Sequence, residues 1–267
     1  VNIQSLAYTI LARRRMTLWL LALLLWPFSQ LRAQTKPVTL HVAAAADLQP
    51  VMPAFAAAYE KQTGVHLDVS FGSSSALATQ ILNGSPMDVF LGADFSFPEK
   101  VVAAGLAGEP SPVPYANGTL VVWTRNDSGI KPVSIDRVTD PNVTRIAVAD
   151  QFHAPYGRAA YAALTSMHLL DKVQFKLVVA ENVAQSAQFA ESGHAQIAFI
   201  SLTLASTPHM KEIGSFNRVP KVYPPLRQCG VVMKNSPNLD EARKFLAWLT
   251  SPQTQEKLPQ FGLEPAQ

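Results

Sequence analysis

A single cysteine, Cys229, occurs in the 267 residues, so no internal disulfide can form. Set in an apolar, strand-like run, it reads as a small buried hydrophobe. Metal chemistry is equally poorly supplied. The six histidines, His41, His66, His153, His168, His194 and His209, show no close ligand spacing, and the lone cysteine adds nothing to them. No Gly-x-Ser-x-Gly elbow is present, which leaves any serine nucleophile without the sharp strand-to-helix turn of an α/β-hydrolase. Positive charge is also scarce once its position is considered. The net charge is +3, but Arg13, Arg14, Arg15 and Arg32 all fall within 1–33, where there is no acid, and the remainder carries −1. A near-neutral chain gives no electrostatic footprint for a nucleic acid.

What is present begins with those first 33 residues. Arg13-Arg14-Arg15 precedes an apolar stretch, 16–28, too short for a permanent bilayer span, and Leu31-Arg32-Ala33 places a small residue before Gln34. The pattern is that of an export signal, 1–33, cleaved near Ala33 to release an exported protein. The paired arginines leave the general and the twin-arginine export routes both open. No cysteine near the cleavage point offers a lipid anchor.

From residue 38 onward, strand-like and helix-like runs alternate. Strands are expected at 38–44, 65–70, 88–92, 118–124, 145–149, 175–180, 196–200 and 228–233. Helices are expected at about 49–62, after the serine tract to 83–84, and at 97–104, 155–167, 183–192, 240–250 and 252–261. Pro50 and Pro53 fit only a first helical turn, and Gly64 and Gly105 read as stops. The alternation predicts an α/β protein with mostly parallel sheets covered by helices on both faces. Two proline-marked crossings, 109–114 and 219–225, predict two lobes: 34–119 with a return segment 226–267, and 120–225 between them.

The candidate chemistry lies at strand-to-helix junctions. Phe71-Gly72-Ser73-Ser74-Ser75-Ala76-Leu77 brings hydroxyls and free N–H groups to a helix start, where the first four amides lack intrahelical partners and the helix dipole is positive. Such an end can hold an oxyanion without Lys or Arg. An ordinary N-cap is the alternative for any one junction. Further junctions follow at Ala43-Ala44-Ala45-Ala46-Asp47-Leu48, Ala154-Pro155-Tyr156-Gly157, Glu181-Asn182-Val183 and Ser201. Asp47 reads as a cap and Asn182 as another, each accepting from helix amides. In open α/β sheets ligands bind at the carboxyl ends of strands, so these junctions facing one cleft would make an anion-selective pocket.

The chain resembles the periplasmic molybdate-binding components of ABC transporters. The resemblance rests on Val42-Ala43-Ala44-Ala45-Ala46-Asp47-Leu48, Glu60-Lys61-Gln62-Thr63-Gly64, Phe71-Gly72-Ser73-Ser74-Ser75, Leu77-Ala78-Thr79-Gln80-Ile81, and Gly84-Ser85-Pro86-Met87-Asp88-Val89-Phe90. It continues through Ala93-Asp94, Ala154-Pro155-Tyr156-Gly157, Glu181-Asn182-Val183, Phe245-Leu246 and Ser251-Pro252. It implies a type II periplasmic binding fold, two α/β lobes closing on molybdate or tungstate, and delivery of that ion to a membrane permease. The protein would be a monomer without enzymatic activity, cofactor or nucleic-acid partner. Carried over residue by residue, the oxyanion contacts fall on Ala46, Ser74, Tyr156, Val183 and Ser201, with Tyr156 and Val183 acting through main-chain N–H. The anion would be held by its oxygens, with no direct cation ligands. Ala46, or Asp47 beside it, stands where the family has a serine, and Ser201 stands where well-known members have a tyrosine. Those exchanges keep sulfate or another small anion in play as the ligand. A serine hydrolase using Ser74 with one of the histidines is the reading from a different class.

Overall fold

The computed structural model describes residues 38–266. The expected export signal, 1–33, lies outside them. The chain opens with β1 (Thr39–Ala45), a short 3-10 turn (Ala46–Leu48) and α1 (Met52–Thr63). Then follow β2 (His66–Gly72), α2 (Ser74–Leu82), β3 (Val89–Gly92), α3 (Ser96–Ala103) and β4 (Val113–Gly118). Pro53 occupies the first turn of α1, where its missing N–H costs no hydrogen bond, and Gly64 closes that helix at φ 76°.

A middle block comprises β5 (Leu120–Arg125), β6 (Ile146–Ala149), α4 (Pro155–Ser166), α5 (Leu170–Val173) and β7 (Leu177–Ala180). It continues with α6 (Val183–Glu191), β8 (Ile197–Ser201), α7 (Leu202–Ala205), α8 (Pro208–Ile213) and β9 (Gly214–Arg218). The chain closes with β10 (Leu226–Val232), α9 (Leu239–Leu249), α10 (Pro252–Gln255) and β11 (Glu264–Pro265).

Two sheets result. The first has the order β11-β4-β10-β3-β1-β2 and the second β7-β6-β8-β5-β9. The expected parallel character is only half the story. β1 runs parallel to β2 and β3, and β6 runs parallel to β7 and β8. However, β10 is antiparallel to β3 and β4, and β5 is antiparallel to β8 and β9. The antiparallel strands are those at the crossings: β5 leaves the first sheet and β10 re-enters it, each opposed to the βα units beside it.

Three further expectations change. The single strand at 118–124 is two strands in different sheets, β4 and β5, separated by Thr119. The proline-rich stretch before it runs into the start of β4, where Pro114 sits at a register irregularity opposite Cys229. The last helix, expected over 252–261, stops at Gln255 and resumes as a 3-10 turn, Leu258–Phe261, because Pro259 cannot donate to a continuing α-helix.

Helices cover both sheets, so the central strands are apolar on both faces and Val89–Gly92, Ile146–Ala149 and Ile197–Ser201 are buried throughout. α9 shows the packing logic most simply. Ala242, Phe245, Leu246 and Leu249 recur at i, i+3, i+4 and i+7 and are its buried face. Phe245 meets Tyr59 edge-on at 5.1 Å, while Phe55 contacts Trp248 and Phe261 at 5.8 and 5.2 Å. The second sheet is built around Trp123, which is fully buried with its indole N–H donated to the Met210 carbonyl. Cys229 is a buried free thiol, and burial pushes its pKa up to about 11. No helix among the described residues is long and apolar enough to cross a membrane.

Candidate functional site

The carboxyl ends of β1, β2, β3, β6 and β7 meet at one small cavity. Its walls are Ala45, Ala46 and Asp47 after β1, Gly72, Ser73 and Ser74 after β2, and Ala93 after β3. Ala154, Pro155 and Tyr156 at the start of α4 and Asn182 and Val183 at the start of α6 complete it from the second sheet. Four of the five sequence-nominated positions, Ala46, Ser74, Tyr156 and Val183, therefore line the same space, supplied by both sheets. No Lys, Arg or His is among the lining residues. The open volume is ≈10 Å³, room for about one water. A tetrahedral anion is larger than this open volume.

Each junction has a local reason. Ser73 caps α2 by accepting from the Ala76 amide, which leaves Ser74 as its first helical residue. Ser74 is buried, and its hydroxyl accepts from the Ala93 amide at 3.0 Å, tying the β2 and β3 ends together. Asn182 caps α6 as expected, its Oδ1 accepting from Ala184 and Gln185, so that Val183 opens the helix. Pro155 starts α4. Gly157 behind it is obligatory: a Cβ there would sit 2.3 Å from the Ala149 carbonyl oxygen. The amides of Ser74, Tyr156 and Val183 stand in first helical turns, where the helix offers them no acceptor. Among the described residues they bond to no other part of the chain.

Ser201 is placed differently. It ends β8, is fully buried, accepts from the Leu204 amide and lies 2.7 Å from the Thr203 hydroxyl. Thr203 in turn donates to the Asp47 carbonyl at 2.6 Å. Ser201 is not among the residues lining the cavity and reaches its edge only through Thr203.

Asp47 is not the cap that the sequence suggests. The N-cap position of the 3-10 turn is Ala45, with no side-chain bond, and the Asp47 carboxyl is fully buried. Tyr156 Oη donates to Asp47 Oδ2 at 3.2 Å, and Gln228 Nε2 donates to the same oxygen. Burial pushes the Asp47 pKa up to about 7 although both of these hydrogen bonds pull it down. Burial, with the Asp47 charge beside it, also lifts the Tyr156 hydroxyl well above its ordinary value. The Tyr156 side chain, expected to matter little, thus belongs to a polar cluster linking the two sheets. Gly118, at the crossing from β4 to β5, makes room for it: a Cβ there would lie 2.3 Å from Tyr156 Oη. Sequence reasoning missed Gln228 and Gly118. The sequence offered only a weak signal for Gln228, a polar residue between Arg227 and the apolar run Cys229-Gly230-Val231-Val232; its burial is a product of the packed structure.

Other contacts join the same two walls. The Ser75 amide donates to the His153 carbonyl at 3.2 Å, and Arg158 of α4 pairs with Asp94 after β3 at 2.9 Å. No histidine hydrogen-bonds Ser74 among the described residues; His153 pairs with Asp150 instead. Two of the roomier hollows, ≈590 and ≈530 Å³, lie elsewhere. The first, at the opposite ends of the strands, is walled by Ile81, Pro86, Met87, Leu106, Met233 and neighbours; its buried acid, Asp88, is already bonded to the His41 amide and the Ser236 hydroxyl. Neither gathers helix starts.

The profile of the family described as bacterial extracellular solute-binding protein matches residues 40–264. The chain belongs to that family. Within it, the chain is 32% identical over 207 residues to the molybdate-binding protein ModA of Rhodobacter capsulatus, covering 77% of this chain and 80% of that one. It is also 32% identical over 227 residues to ModA of Azotobacter vinelandii, covering 83% and 88%. The solved Azotobacter vinelandii periplasmic molybdate-binding protein superposes with a TM-score of 0.79 at 31% identity, over 85% of this chain and all of that one. The two-sheet α/β architecture is therefore that of the periplasmic binding proteins. These relatives are named as molybdate-binding proteins.

Proposed function

We propose that this protein captures molybdate or tungstate outside the cytoplasm and delivers it to the membrane permease of an ABC transporter. The observation that carries the reading is the convergence of helix starts from both sheets on one buried, cation-free cavity. Ala46, Ser74, Tyr156 and Val183 would offer the oxyanion main-chain N–H groups, with the Ser74 hydroxyl added. Ser201 contributes through Thr203, which fixes the Asp47 main chain. Relatives at about a third identity carry the name molybdate-binding protein, which supports this choice of ligand. Residues 1–33 act as a cleaved export signal, and the mature monomer resides in the periplasm without a cofactor and without catalysing a reaction.

The mechanism is closure. Two lobes, 34–119 with 226–267 and 120–225, part to admit the ion and close when donors from both meet its oxygens. The ligand shifts the balance toward the closed form because only there are both walls in contact with it. A ring of donors with no acceptor selects a fully deprotonated tetrahedral ion. A smaller ion such as sulfate leaves donors unmet, at about 1–3 kcal/mol for each buried one. Isothermal titration calorimetry of residues 34–267 against molybdate, tungstate, sulfate and phosphate tests this reading. One-to-one submicromolar binding of the first two, with the others silent, is the expected result. Preference for sulfate would move the assignment to a different anion, and silence from all four with a folded protein would end it.

A further inference from the structure

Asp47 is a buried acid against a cavity proposed to hold a dianion. Its carboxyl is 0% exposed. Both of its hydrogen bonds, from Gln228 and Tyr156, go to Oδ2, and Oδ1 has no partner. Gln228 Oε1, on the side chain already joined to Asp47 by one hydrogen bond, is likewise buried and unpartnered. Two orphaned acceptors on two bonded side chains are the signature of one proton. Placed on Oδ1, it turns one of the two orphaned acceptors into a donor, on a carboxyl whose other oxygen already holds Gln228 through Nε2. Left off, two buried lone-pair groups remain unsatisfied, each carrying the full cost of its lost hydration.

We propose that Asp47 is held as a neutral carboxylic acid paired with Gln228, and that capturing the anion takes up one proton at this side chain. The inference rests on the oxyanion reading above and extends it. An ionised carboxylate in the wall would repel a dianion in a medium of low polarity, whereas the neutral acid only donates and accepts hydrogen bonds. The surroundings supply no counter-charge. α4 presents Tyr156 to Asp47, and its Arg158 is engaged with Asp94. β10 presents Gln228, and its Arg227 and Cys229 form no hydrogen bond or ion pair with Asp47. Tyr115 of β4 and, beyond Tyr156, Tyr223 are phenols that stay protonated. α7 and α6, packed on the turn that carries Asp47, bring Thr203 and the Asn182 cap, with Glu181 before α6 and Glu191 at its far end, paired to His209. β2 keeps His66 and Asp68 at its opposite end. Burial, which pushes the Asp47 pKa up to about 7, acts in the same direction as this geometry.

The sign follows from linkage. With the cleft open and Asp47 hydrated, its pKa falls toward the ordinary carboxylate value of about 4, so closure at a pH between that value and about 7 binds a proton. Molybdate affinity should therefore fall as pH rises from about pH 4 to about pH 7, by up to tenfold per unit, and level off above that. The experiment is calorimetric titration of molybdate in buffers of differing ionisation heat, with wild type and Asp47→Asn. Asparagine keeps the shape and supplies a permanent donor. Wild type should take up a proton, up to one per anion. Asp47→Asn should take up none, lose the pH slope and bind more tightly than wild type at about pH 8. A wild type without proton uptake, or an Asp47→Asn variant that keeps it, overturns the proposal. If Asp47→Asn does not fold, Gln228→Ala takes its place and should lower the uptake; unchanged uptake overturns it. If wild type binds no anion, the oxyanion reading fails first. Infrared spectra then decide: a protonated-acid carbonyl band persisting at about pH 6 and requiring Asp47 supports the neutral acid, and its absence removes it.

Discussion

Ser74 has two roles at the residue scale, since its hydroxyl accepts from the Ala93 amide and its own amide faces the cavity. Ser74→Ala deletes the hydroxyl and leaves a buried N–H unmet, so anion affinity should drop by about one to two decades. Ser74→Asp should abolish binding by charge repulsion, and calorimetry on both variants checks this. Unchanged affinity in Ser74→Asp would remove the residue from the site. Gly118 is the second informative position. Its φ is unremarkable, and the constraint on it is space: an added Cβ would collide with Tyr156 Oη and crowd Gln228 Nε2 at 3.1 Å. Gly118→Ala should destabilise the fold by about 1–3 kcal/mol in urea unfolding and weaken anion binding with it, because the collision displaces the Tyr156–Asp47–Gln228 cluster. Loss of neither would show that the crossing relaxes freely.

At the scale of elements, the site depends on where helices start more than on which side chains they carry. α6 begins at Val183 because Asn182 satisfies two amides from outside the helix. Asn182→Ala should cost about 1 kcal/mol, read as a shift in the urea midpoint at constant slope. It should also weaken anion binding, since the frayed first turn no longer holds the Val183 amide in place. A variant that loses stability but binds as before would make Asn182 a structural cap alone. The same dependence explains why the serine tract was legible. Ser73 as cap and Ser74 as first residue follow from residue type and the flanking periodicity, and the structure has them at those positions. The β4–β5 division was not legible, because Pro114, Ala116, Asn117 and Gly118 are poor strand formers and 113–118 reads as a lead-in to the strand that follows. Nothing local states that this segment pairs as a strand in one sheet while 120–125 joins the other.

For the whole molecule, the cavity lies between two walls joined by polar bridges: Tyr156 to Asp47 and Gln228, Thr203 to Asp47, Arg158 to Asp94 and Ser96, and Ser75 to His153. Arg158 is well exposed and its ion pair is worth little, so a ligand held by both walls should add measurably to their association. Added molybdate at a hundredfold excess over Kd should stabilise the protein by about 2.7 kcal/mol and raise Tm by several degrees. Small-angle scattering should record a smaller radius of gyration at the same concentration. A rise in Tm without contraction would mean that the ion binds without closing the cleft.

The sequence by itself determined the α/β character, the placement of nearly every long helix and central strand, and the helix starts at Ser74, Pro155 and Val183. These follow from periodicity, capping residues and proline and glycine punctuation, all of which act within a few residues. Only the tertiary structure decided what lies far apart in the chain. Gln228 meets Asp47 across 181 residues, Thr203 meets the Asp47 carbonyl across 156, and Ser201 lies one hydroxyl away from the cavity. It also decided that Asp47, which local rules assign to a helix cap, is buried without a counter-charge. Burial is a property of the packed whole, because the desolvation that lifts that carboxyl comes from both sheets closing over it.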